Sequence, residues 1–130
     1  MLKVLLVEDN PGQSQIYSES LDKSGFKVIS VYDGSEIEEV IDKEDIDIIV
    51  SDTDMPMVNG NIACERLLKL GKVKDKLIVG MSSRFDFKSY WFGIAHNFIS
   101  KKHIHDLGEI IQRMYDKFKS SPNPKRYGNF

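Results

Sequence analysis

The chain has 130 residues and a net charge of −2, with 41% hydrophobic and 29% charged residues. These values are typical of one soluble globular domain, and they exclude the basic composition by which many proteins bind nucleic acid. The single cysteine, Cys64, excludes an intrachain disulfide, and the four-residue apolar run before Glu8 is too short for a signal sequence or a membrane span. We therefore expect a cytoplasmic protein that contacts neither nucleic acid nor membrane.

The first half of the chain alternates apolar strands with amphipathic helices. The run KVLLVE at residues 3–8 is typical of a strand buried on both faces. Asn10 is a suitable N-cap and Pro11 a suitable first residue for a helix that ends near Ser24, before Gly25. A second strand is predicted at residues 26–31, a second helix at 33–44 and a third strand at 46–50.

The second half continues the same alternation. The predicted elements are a third helix at residues 61–70, a fourth strand at 76–81, a fourth helix at 85–96, a fifth strand at 97–100 and a last helix from Ile104 to Phe118. Five strands alternating with five helices predict an α/β fold, in which a five-stranded parallel sheet is covered by helices on both faces.

Chemically active side chains follow four of these strands. Ligands of such sheets bind beyond the carboxyl ends of the strands, so the residues found there should gather around one crevice. They are Glu8, Asp9, Asp52, Ser82, Ser83, Lys101 and Lys102. Clustered carboxylates repel one another unless a cation lies among them, and oxygen ligands suit Mg²⁺. A carboxylate can also attack phosphorus, with a metal ion, a lysine and a hydroxyl stabilising the transferred group.

Four segments, VLLVEDN, DIIVSDTDMPMVNG, VGMSS and FISKK, occur in an order and separation that resemble the receiver domain of bacterial response regulators. The resemblance covers about residues 2–119. It implies a flavodoxin-like fold with strand order 2-1-3-4-5 and a function in two-component signalling or a phosphorelay. It also implies Mg²⁺ as cofactor, and as partners a sensor histidine kinase or histidine phosphotransfer protein and a downstream effector.

The resemblance assigns a role to each matching residue. Asp52 would be the phosphoacceptor; the metal would be held by Glu8, Asp9, Asp52 and the backbone carbonyl of Asp54. Lys101 and Ser82 would contact the phosphoryl group, and Phe98 would be the aromatic residue that moves on activation. Such a protein is an enzyme only in the sense that it catalyses its own phosphorylation and dephosphorylation.

Three further positions of the resemblance concern the lifetime of the phosphoryl group and the peptide after Lys101. Asp54 and Arg84 occupy positions that tune this lifetime, and a pair between them would shield the site from water. Lys102 stands where the family usually has proline, which puts the usual cis peptide in doubt because a cis bond before another residue costs about 3 kcal/mol.

The segment RFDFKSYWFGI at residues 84–94 has too many aromatic residues for one helical stripe, so some of them should be exposed. Exposed aromatic residues favour interfaces, and we expect Tyr90 and Trp91 to belong to a partner surface. The resemblance agrees, because the face made by the fourth helix, the fifth strand and the last helix is the usual output surface. The same face could support a dimer.

Other functions remain open. A pseudo-receiver that binds proteins without phosphorylation is the main alternative. The DTD sequence at residues 52–54 also resembles a haloacid dehalogenase phosphatase motif, but Pro56 does not fit it, and an EF-hand spacing fits less well. Residues 1–119 are predicted to form the receiver domain and residues 120–130 a flexible tail or linker. No effector domain is visible, so the chain could act alone or be part of a longer protein.

Overall fold

Five parallel strands form the sheet of the computed structural model, which describes residues 1–128. The strands are β1 (Lys3–Val7), β2 (Lys27–Val31), β3 (Ile48–Asp52), β4 (Leu77–Ser82) and β5 (Asn97–Ser100). Their order across the sheet is β2-β1-β3-β4-β5, which confirms the expected flavodoxin-like arrangement. Because all strands are parallel, their carboxyl ends meet at one edge of the sheet.

Within residues 1–128, three α-helices connect the first four strands: α1 (Pro11–Lys23), α2 (Ile37–Lys43) and α3 (Gly60–Lys69). A fourth, α4 (Leu107–Ser120), follows β5. The helix starts follow ordinary capping rules. Asn10 caps α1 as predicted, since its side chain accepts a hydrogen bond from the backbone N–H of Gln13 at 2.9 Å. No helix in residues 1–128 combines the length and the apolar character needed to cross a membrane.

The sheet separates two hydrophobic clusters. Alternate residues of each strand point to opposite faces, so Val4 and Leu6 join one cluster while Leu5 and Val7 join the other. The first cluster lies under α1 and α4, and the second lies under α2, α3 and the segment before β5. Both faces of β3 and β4 are therefore buried, as their continuous apolar sequences predict.

The predicted fourth helix differs from expectation. In place of an α-helix at residues 85–96, the structure has a 3₁₀ segment, Phe85–Trp91, between β4 and β5. The chain turns at Gly93, whose φ of 76° few other residues adopt. Trp91 is drawn into the core, where it lies against Gly80 of β4 so closely that an added Cβ would be 2.4 Å from the indole. Because Trp91 packs into the core, the helical segment ends there, before β5 begins.

Candidate functional site

The carboxyl edge of the sheet brings three predicted site residues into direct contact. The ammonium of Lys101, which follows β5, donates to Glu8 Oε1 at 2.6 Å and to Asp52 Oδ2 at 3.0 Å. It also donates to Gln13 Oε1 of α1 at 2.9 Å. Glu8 is fully buried and Asp52 is 7% exposed, so this lysine provides charge compensation where water has little access. One cation thus ties the ends of β1, β3 and β5 together.

Asp9 completes an acidic cluster at this edge. One carboxylate oxygen from each of Glu8, Asp9 and Asp52 lies within 4.8 Å of the others. Three carboxylates face one ammonium, which leaves an excess of negative charge and a set of hard oxygen donors. Such a donor set fits a divalent cation of the Mg²⁺ class. Asp54, whose backbone carbonyl was expected to complete the metal shell, lies in the exposed loop after β3.

Burial and nearby charges change the pKa values of Asp52 and Lys101. Burial raises the pKa of Asp52, and the nearby charge of Glu8 raises it further, against the lowering effect of Lys101. Burial alone would lower the pKa of Lys101, but its hydrogen bonds and charge interactions with Glu8 and Asp52 raise the pKa overall. The lysine therefore stays charged at neutral pH, while Asp52 holds its negative charge less readily than a solvated aspartate.

Thr53 fixes the position of the Asp52 carboxylate. Its backbone N–H donates to Asp52 Oδ1 at 3.0 Å, and its hydroxyl donates to the carbonyl of Met81 at 2.9 Å. The same hydroxyl accepts a hydrogen bond from Trp91 Nε1 at 2.8 Å. Because Thr53 and Trp91 are both buried, this chain of hydrogen bonds links the site to the 3₁₀ segment through the core.

Asp33 organises the loop that follows β3. Its Oδ1 accepts from the N–H of Met57 at 2.9 Å, and its Oδ2 accepts from Val58 at 3.1 Å and from Ser35 at 2.8 Å. The loop is held a second time where the N–H of Gly34 donates to the carbonyl of Val58 at 3.0 Å. Asp33 thereby shapes the loop that carries Asp54, although it lies in the distant segment that follows β2.

The structure places Ser82 and Arg84 at the rim of the site. Ser82 is 4% exposed, and its hydroxyl oxygen accepts from the backbone N–H of Arg84 at 3.0 Å. The expected pair between Arg84 and Asp54 is wrong for this structure. The guanidinium instead pairs with Asp86 at 2.9 Å and lies 4.6 Å from the centre of the Phe87 ring. Arg84 immediately precedes the 3₁₀ segment, and its pair with Asp86 in that segment holds it there.

The aromatic residues divide between core and surface. Trp91 is fully buried, so the expectation that it belongs to a partner surface is wrong: its indole fills the space beside Gly80. Tyr90 is 50% exposed and stacks on Phe87 at 5.0 Å between ring centres. Phe98 is partly buried and contacts Phe85 edge-on at 6.4 Å. The prediction that some of these aromatic residues are exposed is confirmed.

Sequence reasoning missed Gln13, Asp33 and Thr53. Asp33 carried a recognisable signal, because it follows a predicted strand and would lie at the same edge as the other acids. Thr53 is adjacent to Asp52, but the two partners of its hydroxyl, Met81 and Trp91, are distant in sequence. The peptide between Lys101 and Lys102 is trans, in keeping with the absence of proline there, since residues 1–128 contain no cis peptide.

Three comparisons relate this geometry to known proteins. The sequence model of the response regulator receiver domain matches residues 4–114. The transcriptional regulatory protein CutR of Streptomyces coelicolor is 34% identical over 70 residues, which are 54% of this chain and 32% of CutR. The chain thus spans about a third of that regulator's length.

Solved structures support the fold. The response regulator TrrA of Thermotoga maritima, in complex with Mg²⁺-BeF, superposes with a TM-score of 0.78 at 20% identity and covers 89% of this chain and 98% of TrrA. The chemotaxis response regulator CheY4 of Vibrio cholerae gives a TM-score of 0.77 at 23% identity, with 91% and 98% of the two chains covered. At these identities the likeness establishes the architecture.

Proposed function

This chain belongs to the response regulator receiver family of two-component signalling proteins, and we propose that it accepts a phosphoryl group on Asp52 and changes its surface in response. The phosphoryl donor would be a phosphohistidine of a sensor kinase or a histidine phosphotransfer protein. The changed surface would control a downstream effector.

One observation carries the proposal: the ammonium of Lys101 lies between Glu8 and Asp52 at the carboxyl edge of the sheet. The buried site pairs one cation with an excess of carboxylates, an arrangement that costs free energy unless a further positive charge is bound. A site that serves only folding would not need this imbalance. A site that must receive an anionic group next to a carboxylate needs both the lysine and a place for a divalent cation.

Glu8, Asp9 and Asp52 are the side chains that would hold Mg²⁺, together with the backbone carbonyl of Asp54. Their donor set fits the ion, because it consists of hard carboxylate oxygens that lie within 4.8 Å of one another. When bound, Mg²⁺ would neutralise charge on the phosphoryl oxygens and favour the ionised form of Asp52.

In the transfer step, a carboxylate oxygen of Asp52 attacks phosphorus while the bond from phosphorus to the imidazole nitrogen of the donor breaks. The leaving imidazole keeps the electron pair of that bond. The N–H of Thr53 orients the attacking carboxylate, since it holds Oδ1 at 3.0 Å. Lys101 exchanges its contact with Asp52 for one with a phosphoryl oxygen, and its positive charge then stabilises the transferred group.

Ser82 and Phe98 would turn this chemistry into a change of shape. The Ser82 hydroxyl accepts from Arg84, so its own proton remains available to donate to a phosphoryl oxygen. Its movement towards the phosphoryl group would leave room for Phe98, which adjoins the 3₁₀ segment. The face formed by the 3₁₀ segment, β5 and α4 is then the proposed output surface and the proposed dimer contact. Asp54 and Arg84 would tune the lifetime of the phosphoryl group separately, since Arg84 is paired with Asp86.

We further propose a cytoplasmic location, a receiver domain that comprises residues 1–119, and no direct contact with nucleic acid. The main rival remains a pseudo-receiver that binds its partner without phosphorylation. The two differ in whether Asp52 reacts.

The proposed function is tested by incubating the chain with acetyl phosphate, with and without Mg²⁺, and measuring the intact mass. We expect a gain of one phosphoryl group that requires Mg²⁺ and is lost in Asp52→Asn. Trp91 is the single tryptophan and binds Thr53, next to Asp52, so its fluorescence is a second readout.

The matched control is Asp45→Asn, which changes an exposed acid at the opposite end of β3. This variant should be phosphorylated like the unmodified chain. No adduct in the unmodified chain, or an equal adduct in Asp52→Asn, would reject the proposal and favour the pseudo-receiver.

A further inference from the structure

The chain after α4 folds back onto the domain. We call residues 121–128 the C-terminal strap. Helix α4 packs on the first hydrophobic cluster, with Leu107 and Ile111 buried in it. Tyr127, at the far end of the strap, contacts Phe98, which packs on the second cluster. The strap therefore passes around the edge strand β5 from one face of the sheet to the other.

Three hydrogen bonds hold the strap to the turn between the 3₁₀ segment and β5. The N–H of Tyr127 donates to the carbonyl of Ala95 at 2.6 Å, and the N–H of Gly93 donates to the carbonyl of Tyr127 at 2.8 Å. Arg126 Nη1 donates to the carbonyl of Ile94 at 2.7 Å. Ile94 and Ala95 are buried, so these carbonyls depend on the strap for their partners.

Aromatic contacts extend this attachment to the proposed switch residue. The Tyr127 ring lies 5.2 Å from the Phe92 ring and 6.5 Å from the Phe98 ring, centre to centre, and is nearly parallel to the latter. Gly128 packs so closely on Phe92 that an added Cβ would lie 2.7 Å from its ring. The strap thus covers part of the surface that Phe92 and Phe98 would otherwise present to a partner.

The attachment of the strap carries an electrostatic cost at Arg126. Arg126 is partly buried, and among residues 1–128 it has no carboxylate partner. Burial lowers the pKa of its guanidinium, because the charged form loses hydration there. This cost offsets part of what the hydrogen bonds and ring contacts contribute.

We propose that the C-terminal strap is an autoinhibitory cover. It holds Phe98 in the position that this ring has before Asp52 is phosphorylated, and it leaves the surface when Asp52 is phosphorylated. This inference rests on the proposed function. Phe98 lies in β5, three residues before Lys101, which contacts Asp52. A change at Lys101 is therefore transmitted along a short strand to the ring that Tyr127 covers.

Thermodynamic linkage gives the proposal a quantitative consequence. If the strap prefers the unphosphorylated state, a phosphoryl analogue must prefer the state without the strap by the same factor. Phosphorylation should loosen the strap, and weakening the strap should tighten binding of the analogue. Both effects are required, because they are two sides of one coupling free energy.

The test uses the full chain with Mg²⁺ and beryllofluoride. Amide hydrogen exchange, followed by mass spectrometry, would report the Gly93 and Tyr127 N–H groups that the strap protects. We expect both to exchange faster when beryllofluoride is bound, and we expect no change in Asp52→Asn. Calorimetric titration would give the beryllofluoride affinity of each variant.

Tyr127→Ala should bind beryllofluoride about fivefold more tightly than the unmodified chain. Tyr127→Phe keeps the ring and should bind like the unmodified chain. Lys125→Ala is the matched control, since it changes an exposed side chain of the same strap.

The outcomes separate the two proposals. If beryllofluoride binds but neither amide exchanges faster, or Tyr127→Ala binds it no more tightly, the strap proposal is overturned and the proposed function stands. If the unmodified chain does not bind beryllofluoride with Mg²⁺, both proposals are overturned.

Discussion

Lys101 illustrates how one side chain can serve folding and chemistry at once. Its ammonium compensates Glu8 and Asp52, both of which are buried, and its own side chain is 11% exposed. Removing one partner from a buried ionic group usually costs more than the group contributes when intact. This buried ionic group lies at the edge of the sheet where an anionic phosphoryl group would bind.

Asp33 allows a test at the residue scale that does not involve the acidic cluster. Burial by itself would raise the pKa of Asp33, but hydrogen bonds from the backbone N–H groups of Met57, Ser35 and Val58 lower it below the ordinary value of 3.8. A lowered pKa in the folded state stabilises the protein at pH values above 3.8. This stabilisation is lost as the pH falls through the folded-state pKa.

Asp33→Asn should therefore lower the free energy of unfolding at pH 7 by about 1–3 kcal/mol, because the amide cannot accept all three hydrogen bonds. The difference from the unmodified chain should shrink as the pH falls below 3.8. Urea unfolding across this pH range measures both effects, with Asp22→Asn at an exposed position as the control. An equal loss at every pH would contradict the role assigned to the carboxylate.

At the scale of elements, the 3₁₀ segment and β4 are matched in shape. Gly80 leaves the space that the Trp91 indole fills, and the indole N–H reaches Thr53 beside the site. Neither residue alone explains this arrangement. The segment that carries the exposed Phe85 and Tyr90 is thereby anchored to the residue next to Asp52.

Gly80→Ala should destabilise the protein by about 1–3 kcal/mol, because its Cβ would lie 2.4 Å from the rigid indole. The double variant Gly80→Ala/Trp91→Leu should lose less than the sum of the two single variants, since the smaller side chain leaves room for the methyl group. Urea unfolding of the four proteins measures this coupling. Gly12→Ala in α1, where an added Cβ makes only an ordinary contact, is the control, and strict additivity would contradict the packing argument.

This element also shows where prediction from sequence ends. The strands and the gathering of Glu8, Asp52 and Lys101 were predictable, because apolar runs identify strands and parallel pairing places their carboxyl ends together. The burial of Trp91 was not predictable, because the periodicity of residues 84–94 carries no information about Gly80. This glycine of β4 has no side chain and therefore leaves room for the indole. An aromatic-rich segment indicates that some rings are exposed without saying which.

At the scale of the whole molecule, the proposed phosphorylation site and the proposed output surface lie at different edges of the sheet. The acidic cluster lies at the carboxyl edge, and the C-terminal strap crosses the β5 edge to reach Phe98. Composition at residues 120–130 predicted a loose tail. The contacts of Arg126 and Tyr127 depend on backbone carbonyls of a distant turn, which composition does not reveal.

Binding of Mg²⁺ should stabilise the entire domain, because an ion that binds only the folded state adds RT ln(1 + [Mg²⁺]/Kd) to the free energy of unfolding. At ten times Kd this is about 1.4 kcal/mol, which corresponds to a rise in Tm of several degrees for a domain of this size. Thermal unfolding in Mg²⁺ and in a chelator, at matched ionic strength, measures the shift.

Asp9→Asn removes the most accessible carboxylate of the acidic cluster and should abolish most of this Mg²⁺-dependent rise. Asp45→Asn, at the opposite end of β3, should keep it. Since the ion relieves repulsion among the clustered carboxylates, the rise must depend on the cluster and not on the total charge of the chain, which is −2. Equal rises in both variants would mean that Mg²⁺ binds elsewhere or acts only as a screening salt.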